Sequence, residues 1–122
     1  MGKDFETAVL LDFYGELLTE KQERALDLYY NEDLSLAEIA EPLVISRQGV
    51  RDSIKRGEKQ LHDLEETLGL VKRFRDVKTD LVEIGAMFEK IQAYIQTFIH
   101  SDKLSSAVEE IAERLSSITD KL

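Results

Sequence analysis

The sequence predicts an all-α protein in two parts, a domain of short N-terminal helices followed by a stretch of longer, heptad-bearing helices. Three observations support this. The 122 residues hold one proline, and their β-branched residues fall at helical spacing with no run of strict alternation. Hydroxyl side chains suited to cap helices, Thr19, Ser35 and Ser46, stand ahead of apolar-periodic segments. From residue 70 onward, apolar residues recur in alternating steps of four and three.

The first helix is expected over about residues 5–17, with Phe5, Val9, Asp12-Phe13 and Leu17 marking its inner side. Thr19 with Gln22 three residues later forms a capping-box pattern, which predicts a second helix ending at Tyr29 or Tyr30. Asn31-Glu32-Asp33 then reads as a turn. Ser35 caps a short helix, LAEIAE, that turns Leu36, Ile39 and Ala40 inward. Pro42 lacks a backbone donor and disfavours helix at the residue before it, so this helix is expected to stop or distort there. Leu43-Val44-Ile45 forms an apolar turn, and Ser46 caps the next helix. Two short helices joined by a tight turn, the second carrying an exposed basic face, describe a helix-turn-helix.

That basic face is the main chemical feature. The chain has a formal net charge of −9, yet SRQGVRDSIKR gathers four basic side chains into eleven residues. Residues 1–45 are net −8, residues 46–75 net +3 and residues 76–122 net −4. An overall negative charge opposes tight non-specific binding to nucleic acid, whereas the local excess of Arg and Lys favours a focused contact. Wound at about 100° per residue, the helix from Ser46 places Val50, Ile54, Gly57 and Leu61 on one side. Gln48, Arg51, Asp52, Lys55, Arg56 and Lys59 fall on the other, with Arg47 at the border. In a reading helix, Arg47, Gln48, Arg51 and Asp52 lie where side chains reach base edges, and Ser46, Lys55, Arg56 and Lys59 where they meet phosphates. A solvated basic helix face is the plainer alternative.

Gly69 either ends this helix in a left-handed cap, with Leu70 folding back on Leu64, or marks a kinked continuation. Beyond it, Leu70, Phe74, Val77, Leu81, Ile84, Phe88, Ile91, Ile95 and Phe98 form one heptad stripe. Past a break at residues 100–103, Leu104, Val108, Ile111, Leu115, Ile118 and Leu122 form a second. This predicts a helical hairpin or a longer coiled-coil extension over residues 69–122, following a helix-turn-helix domain over residues 1–68. Leu81, Ile84, Phe88, Ile91, Ile95 and Phe98 are the expected packing residues, flanked by Met87, Tyr94 and Ile99. So large an apolar surface must be covered by the N-terminal domain, a second subunit or another partner, and a homodimer is the simplest solution.

Other chemistry is sparse. There is no cysteine, so disulfides and cysteine zinc sites are excluded. His62 and His100 are too few and too separated to suggest metal ligation, and no cofactor is implied. No glycine-rich phosphate loop or nucleophile relay is present, which predicts a non-enzyme. One of Tyr29 and Tyr30 is expected in the core rather than stacked on a base. No apolar run approaches the ~20 residues of a membrane span, and MGKDFETAV lacks a signal-peptide pattern, so a cytoplasmic protein without membrane insertion is expected.

The stretch from Leu17 to Leu61 strongly resembles the YlxM-like family of small Gram-positive proteins, and the match is most specific in FYGELLTEKQ, LYYNEDLSLAEIAE and SRQGVRDSIKR. The resemblance covers about the first 65–70 residues. It implies a helix-turn-helix like the last DNA-binding region of bacterial sigma factors, and a regulatory role in the signal recognition particle pathway. The alternative it implies is an adaptor that docks on the particle's GTPase or RNA. Where the family's turn usually carries an aromatic or aliphatic residue followed by Gly, this chain has Leu43-Val44. Val is costly in the left-handed conformation such a turn requires, so the turn either opens differently or holds Val44 under strain.

Overall fold

The computed structural model describes residues 4–122, which form six α-helices with no strand among them. They divide into two compact units, one reaching Val71 and one running from Lys72 to Leu122.

In the first unit, α1 (Phe5–Tyr14) begins at Asp4, whose carboxylate accepts from the Glu6 amide at 2.9 Å. Its hydrogen bonding stops three residues earlier than the sequence suggests, and Gly15–Leu17 tighten into a 3₁₀ turn. The buried side also differs. Thr7, Leu10, Leu11 and Tyr14 face the core, while Phe5 is 80% and Leu17 59% exposed. Apolar residues surround this helix, so periodicity alone does not choose a face; packing does.

Helix α2 (Glu20–Tyr30) starts with the full capping box, in which the Thr19 hydroxyl accepts from the Gln22 amide and the Gln22 side chain accepts from the Thr19 amide. Ala25, Leu26 and Tyr29 enter the core. Tyr30 is half-buried against Tyr29, ring edge to face at 5.2 Å, and donates its hydroxyl to Glu58 at 3.1 Å. Helix α3 (Leu36–Leu43) has a second capping box between Ser35 and Glu38. The amide and hydroxyl of Ser35 hold the exposed Glu38 carboxyl below its usual range.

Helix α3 does not stop at Pro42 but continues to Leu43. The missing donor falls in the last turn of a short helix, and the proline φ is itself helical, so one lost bond is the main cost. A Schellman pattern closes the end: Val44 N donates to Glu41 O at 3.2 Å, and Ile45 N to Ala40 O at 3.3 Å. This closure requires a left-handed residue. Val44 supplies it, at φ 54 and ψ 46, while its side chain lies 87% exposed. The turn therefore has ordinary Schellman geometry, held by a strained β-branched residue.

Helix α4 (Arg47–Leu68) ends at Gly69, which adopts φ 62 and returns its amide to Glu65 O at 2.8 Å. Helix α5 (Leu70–Tyr94) follows at once. A small polar cluster fixes the junction. Tyr14 Oη donates to Glu65 Oε1 at 2.5 Å, Leu70 N donates to Tyr14 Oη at 3.2 Å, and Val71 N donates to Glu65 Oε1 at 3.1 Å. Burial, then the bond to Glu65, raises the Tyr14 pKa and keeps the phenol protonated.

The second unit is a hairpin. After α5 comes a π-helical turn, Ile95–Ile99, and His100 in the left-handed region at φ 52. Ser101 then caps α6 (Asp102–Asp120), its hydroxyl accepting from the Leu104 amide at 3.3 Å. Late α5 residues lie opposite early α6 residues. Phe88, Gln92 and Gln96 share a groove with Val108, Glu109 and Ala112, and Gln92 Nε2 donates to Glu109 Oε1 at 3.5 Å. The helices thus run antiparallel, and the hairpin rather than one longer coiled coil is realised.

Two outcomes follow from these local features. Replacing Val44 by Gly removes the left-handed strain without losing buried surface, and should stabilise the protein by about 1 kcal/mol. Thermal unfolding should then show a midpoint several degrees higher. Tyr30 has its pKa pushed up to about 12 by burial and then by the Glu58 charge and hydrogen bond. Below pH 10 both folded and unfolded chains keep this proton, whereas between 10 and 12 only the folded chain does, so stability falls as pH rises through that window. Denaturant titrations across it should show a shallower loss for Tyr30→Phe.

Candidate nucleic-acid interface

The candidate interface lies on α4, and its rigidity comes from the helix's opposite side. Val50, Ile54, Gly57 and Leu61 are fully or nearly fully buried, packing α4 against α1, α2 and α3. Gly57 marks the closest approach. A Cβ there would stand 2.6 Å from Leu26 Cδ1 and 3.6 Å from Gln22 Cβ, so the lack of a side chain lets α2 rest on the α4 backbone. Ile39 from α3 is completely buried in the same core.

With that edge anchored, the outer residues are aimed at solvent. Arg47, Gln48, Arg51, Asp52, Lys55, Arg56 and Lys59 are all exposed. At the entry, the exposed Ser46 accepts from Gly49 N at 2.9 Å, so its oxygen completes the helix cap while its hydroxyl proton is free to donate outward. Two local pairs temper the charge. Gln48 Nε2 donates to Asp52 Oδ1 at 3.1 Å, and Lys59 Nζ pairs with Asp63 at 3.1 Å. Lys59 is exposed, so this pair is weak and screened. Arg47, Arg51, Lys55 and Arg56 have no carboxylate partner among the described residues. Four cations without internal counter-ions give this helix face a local positive field.

One further cation joins them from a different helix. An open cleft between the start of α2 and the face of α4 is lined by Thr19, Lys21 and Gln22 on one side and by Gly49, Asp52, Ser53 and Arg56 on the other. Lys21 is exposed and lines this cleft together with Arg56. Sequence reasoning missed it because the two residues are far apart along the chain, and Lys21 sits in an acidic neighbourhood. Five of the eleven acidic residues of the first third, Asp12, Glu16, Glu20, Glu23 and Asp27, line a separate cleft between α1 and α2, with Arg24 among them.

Other side chains singled out by sequence take structural positions. Tyr29 is buried in the core. His62 is exposed and lies 3.1 Å from the buried Thr7 hydroxyl, while His100 occupies the hairpin turn. Among the described residues no group of three His, Cys, Asp or Glu gathers as metal ligands, and no helix is long and apolar enough to cross a membrane.

In the second unit the expected packing residues separate. Leu81 and Phe88 are half-buried and Ile95 is buried, whereas Ile84, Ile91 and Phe98 are exposed. The single stripe read from sequence is thus split between two faces.

Comparison with known proteins agrees with this architecture. A family model described as "Putative helix-turn-helix protein, YlxM / p13 like" matches residues 1–85, extending well into α5. A UPF0122 protein of Acetivibrio thermocellus is 48% identical over 94% of this chain and 97% of its own length. Another, from Desulforamulus reducens, is 51% identical over 67% of the chain and 71% of its own length. A third, from Clostridium perfringens, is 48% identical over 78% and 91% respectively. Likeness therefore reaches past the 65–70 residues on which the resemblance was first apparent. Helices α3 and α4 with their Val44 elbow are the helix-turn-helix, and the chain belongs to the UPF0122 family of YlxM-like helix-turn-helix proteins.

Proposed function

We propose that the protein is a nucleic-acid-binding regulator that acts as a homodimer, with α4 as its reading helix and duplex DNA as its target. The observation that carries this is the set of exposed, uncompensated cations at Arg47, Arg51, Lys55 and Arg56, opposite a buried edge that fixes their direction. Arg47 and Arg51 can pair bidentately with guanine, Gln48 with adenine, and Asp52 can accept from cytosine. Ser46, Lys55, Arg56 and Lys59 hold phosphates, joined by Lys21 across the α2 cleft. The start of α4 adds its helix dipole to this positive field. Duplex RNA is disfavoured because its deep, narrow major groove does not admit a helix.

A role in the signal recognition particle pathway is the regulatory setting that the family resemblance supports. A second reading, an adaptor that docks on the particle's GTPase or RNA, draws on the apolar residues left exposed on α5 and α6.

Fluorescence anisotropy with duplex DNA tests the reading helix. Affinity should fall with salt, by about −0.9 in log–log slope for each phosphate neutralised. Arg51→Glu combined with Lys55→Glu should weaken binding by roughly 100-fold or more, with unchanged helical circular dichroism, since both side chains are exposed. Equal binding by that variant would overturn the assignment of α4 as the reading helix.

A further inference from the structure

The hairpin uses its two apolar stripes unequally. On α5 and the first residue after it, those turned toward α6 are Leu81, Gly85, Phe88, Gln92 and Ile95, all buried or half-buried. On α6 the equivalent set is Ser105, Val108, Ala112, Leu115 and Thr119. Each seam thus alternates one large residue with one small or polar one, which lets the helices pack without consuming most of their apolar surface. The larger apolar residues lie on a second stripe: Ile84, Met87, Ile91 and Tyr94 on α5, Phe98 in the π-helical turn after it, and Leu104, Ile111 and Ile118 on α6. All eight are exposed, between 38% for Ile84 and 69% for Phe98. Tyr94 and Phe98 already pack on each other, with ring centroids 4.9 Å apart.

The angular relation between the stripes is decisive. At about 100° per residue, the exposed stripe lies roughly 100° around from the seam stripe on α5 and roughly 80° on α6, in the same rotational sense on both. Because α5 and α6 run antiparallel, this common sense brings both exposed stripes to the same side of the hairpin. The result is a two-helix layer with one continuous apolar face. An offset near a right angle is also the relation between the two neighbours that each helix touches in a four-helix bundle.

We propose that this face is covered by the same face of a second copy, so that two α5–α6 hairpins close into a four-helix bundle. The area favours this occupant. Eight large side chains at about half exposure leave several hundred Å², on the order of the ~800 Å² per partner of a standard interface. The shape favours it too, since a flat two-helix layer is matched by another layer, and a two-fold axis pairs the patch with itself. The α5 part of the stripe carries no charge that would be buried. This interface deepens the homodimer of the proposed function, but it does not depend on nucleic-acid binding.

Analytical ultracentrifugation of the full chain tests it. The wild type should sediment at twice the 14.0 kDa chain mass, and its thermal midpoint should rise with protein concentration. Ile91→Lys with Ile111→Lys should raise the dimer dissociation constant by roughly 100-fold or more while preserving helical circular dichroism. If that pair fails to fold, Met87→Ser alone, at a 60% exposed position, should weaken the dimer in the same direction. Val82→Lys should leave the dimer intact, because Val82 is exposed on the opposite side of α5. A wild type that stays monomeric at high concentration would refute the proposal, as would a dimer unaffected by the stripe variants or broken by Val82→Lys. The DNA reading is judged separately, since Arg51→Glu with Lys55→Glu should leave this dimer untouched.

Discussion

The burial of one edge of α4 is the constraint on which the N-terminal unit depends. Val50, Ile54 and Leu61 are fully enclosed, and the bare backbone at Gly57 lets Leu26 settle against the helix. A helix anchored along one edge has little rotational freedom, because turning it by one residue would carry Arg51 or Lys55 into a close-packed interior. The direction of the basic side chains is therefore a result of hydrophobic packing. Electrostatics explains what the face attracts, and the core explains why that face points outward.

A second constraint governs the far end of the same helix. Gly69 turns the chain, and the cluster of Tyr14, Glu65 and the amides of Leu70 and Val71 holds the turn in place. One carboxylate satisfies both a phenol and a backbone amide that would otherwise lack a partner at a helix start. Because Tyr14 belongs to α1, the first helix of the chain helps set where α4 ends. Such a contact joins residues 51 positions apart, so it forms only once the unit has collapsed.

Much of the fold could be read from residues whose preferences are local. Thr19, Ser35 and Ser46 act as caps, and the four-residue spacing of Val50 and Ile54 predicts the inner edge of α4, because these are short-range effects. The face of α1 was not legible. Its apolar residues surround the axis, and only packing against α4 selects Leu10, Leu11 and Tyr14 over Phe5 and Leu17. Pro42 misled for a related reason: its local preference is real, but the Schellman closure just beyond it supplies enough bonds to carry the helix one residue further. At the candidate interface, the outer residues of α4 were visible as a pattern within one helix, whereas Lys21 was not, since its neighbourhood is created by tertiary packing. Heptad periodicity likewise marked the hairpin's apolar residues but could not divide them between two faces, because the division depends on how α5 and α6 face each other once folded.

The left-handed valine between α3 and α4 carries a consequence for how the motif came to work. A glycine at that elbow would prefer the bent form even in isolation, whereas Val44 resists it. The bend is thus imposed from outside by the core that clamps both helices, and a fragment holding α3 and α4 alone would relax toward a straighter, looser chain. Competence of the motif is in this sense a collective property of the unit, and anything that loosens its core would be felt first as a change of angle at position 44.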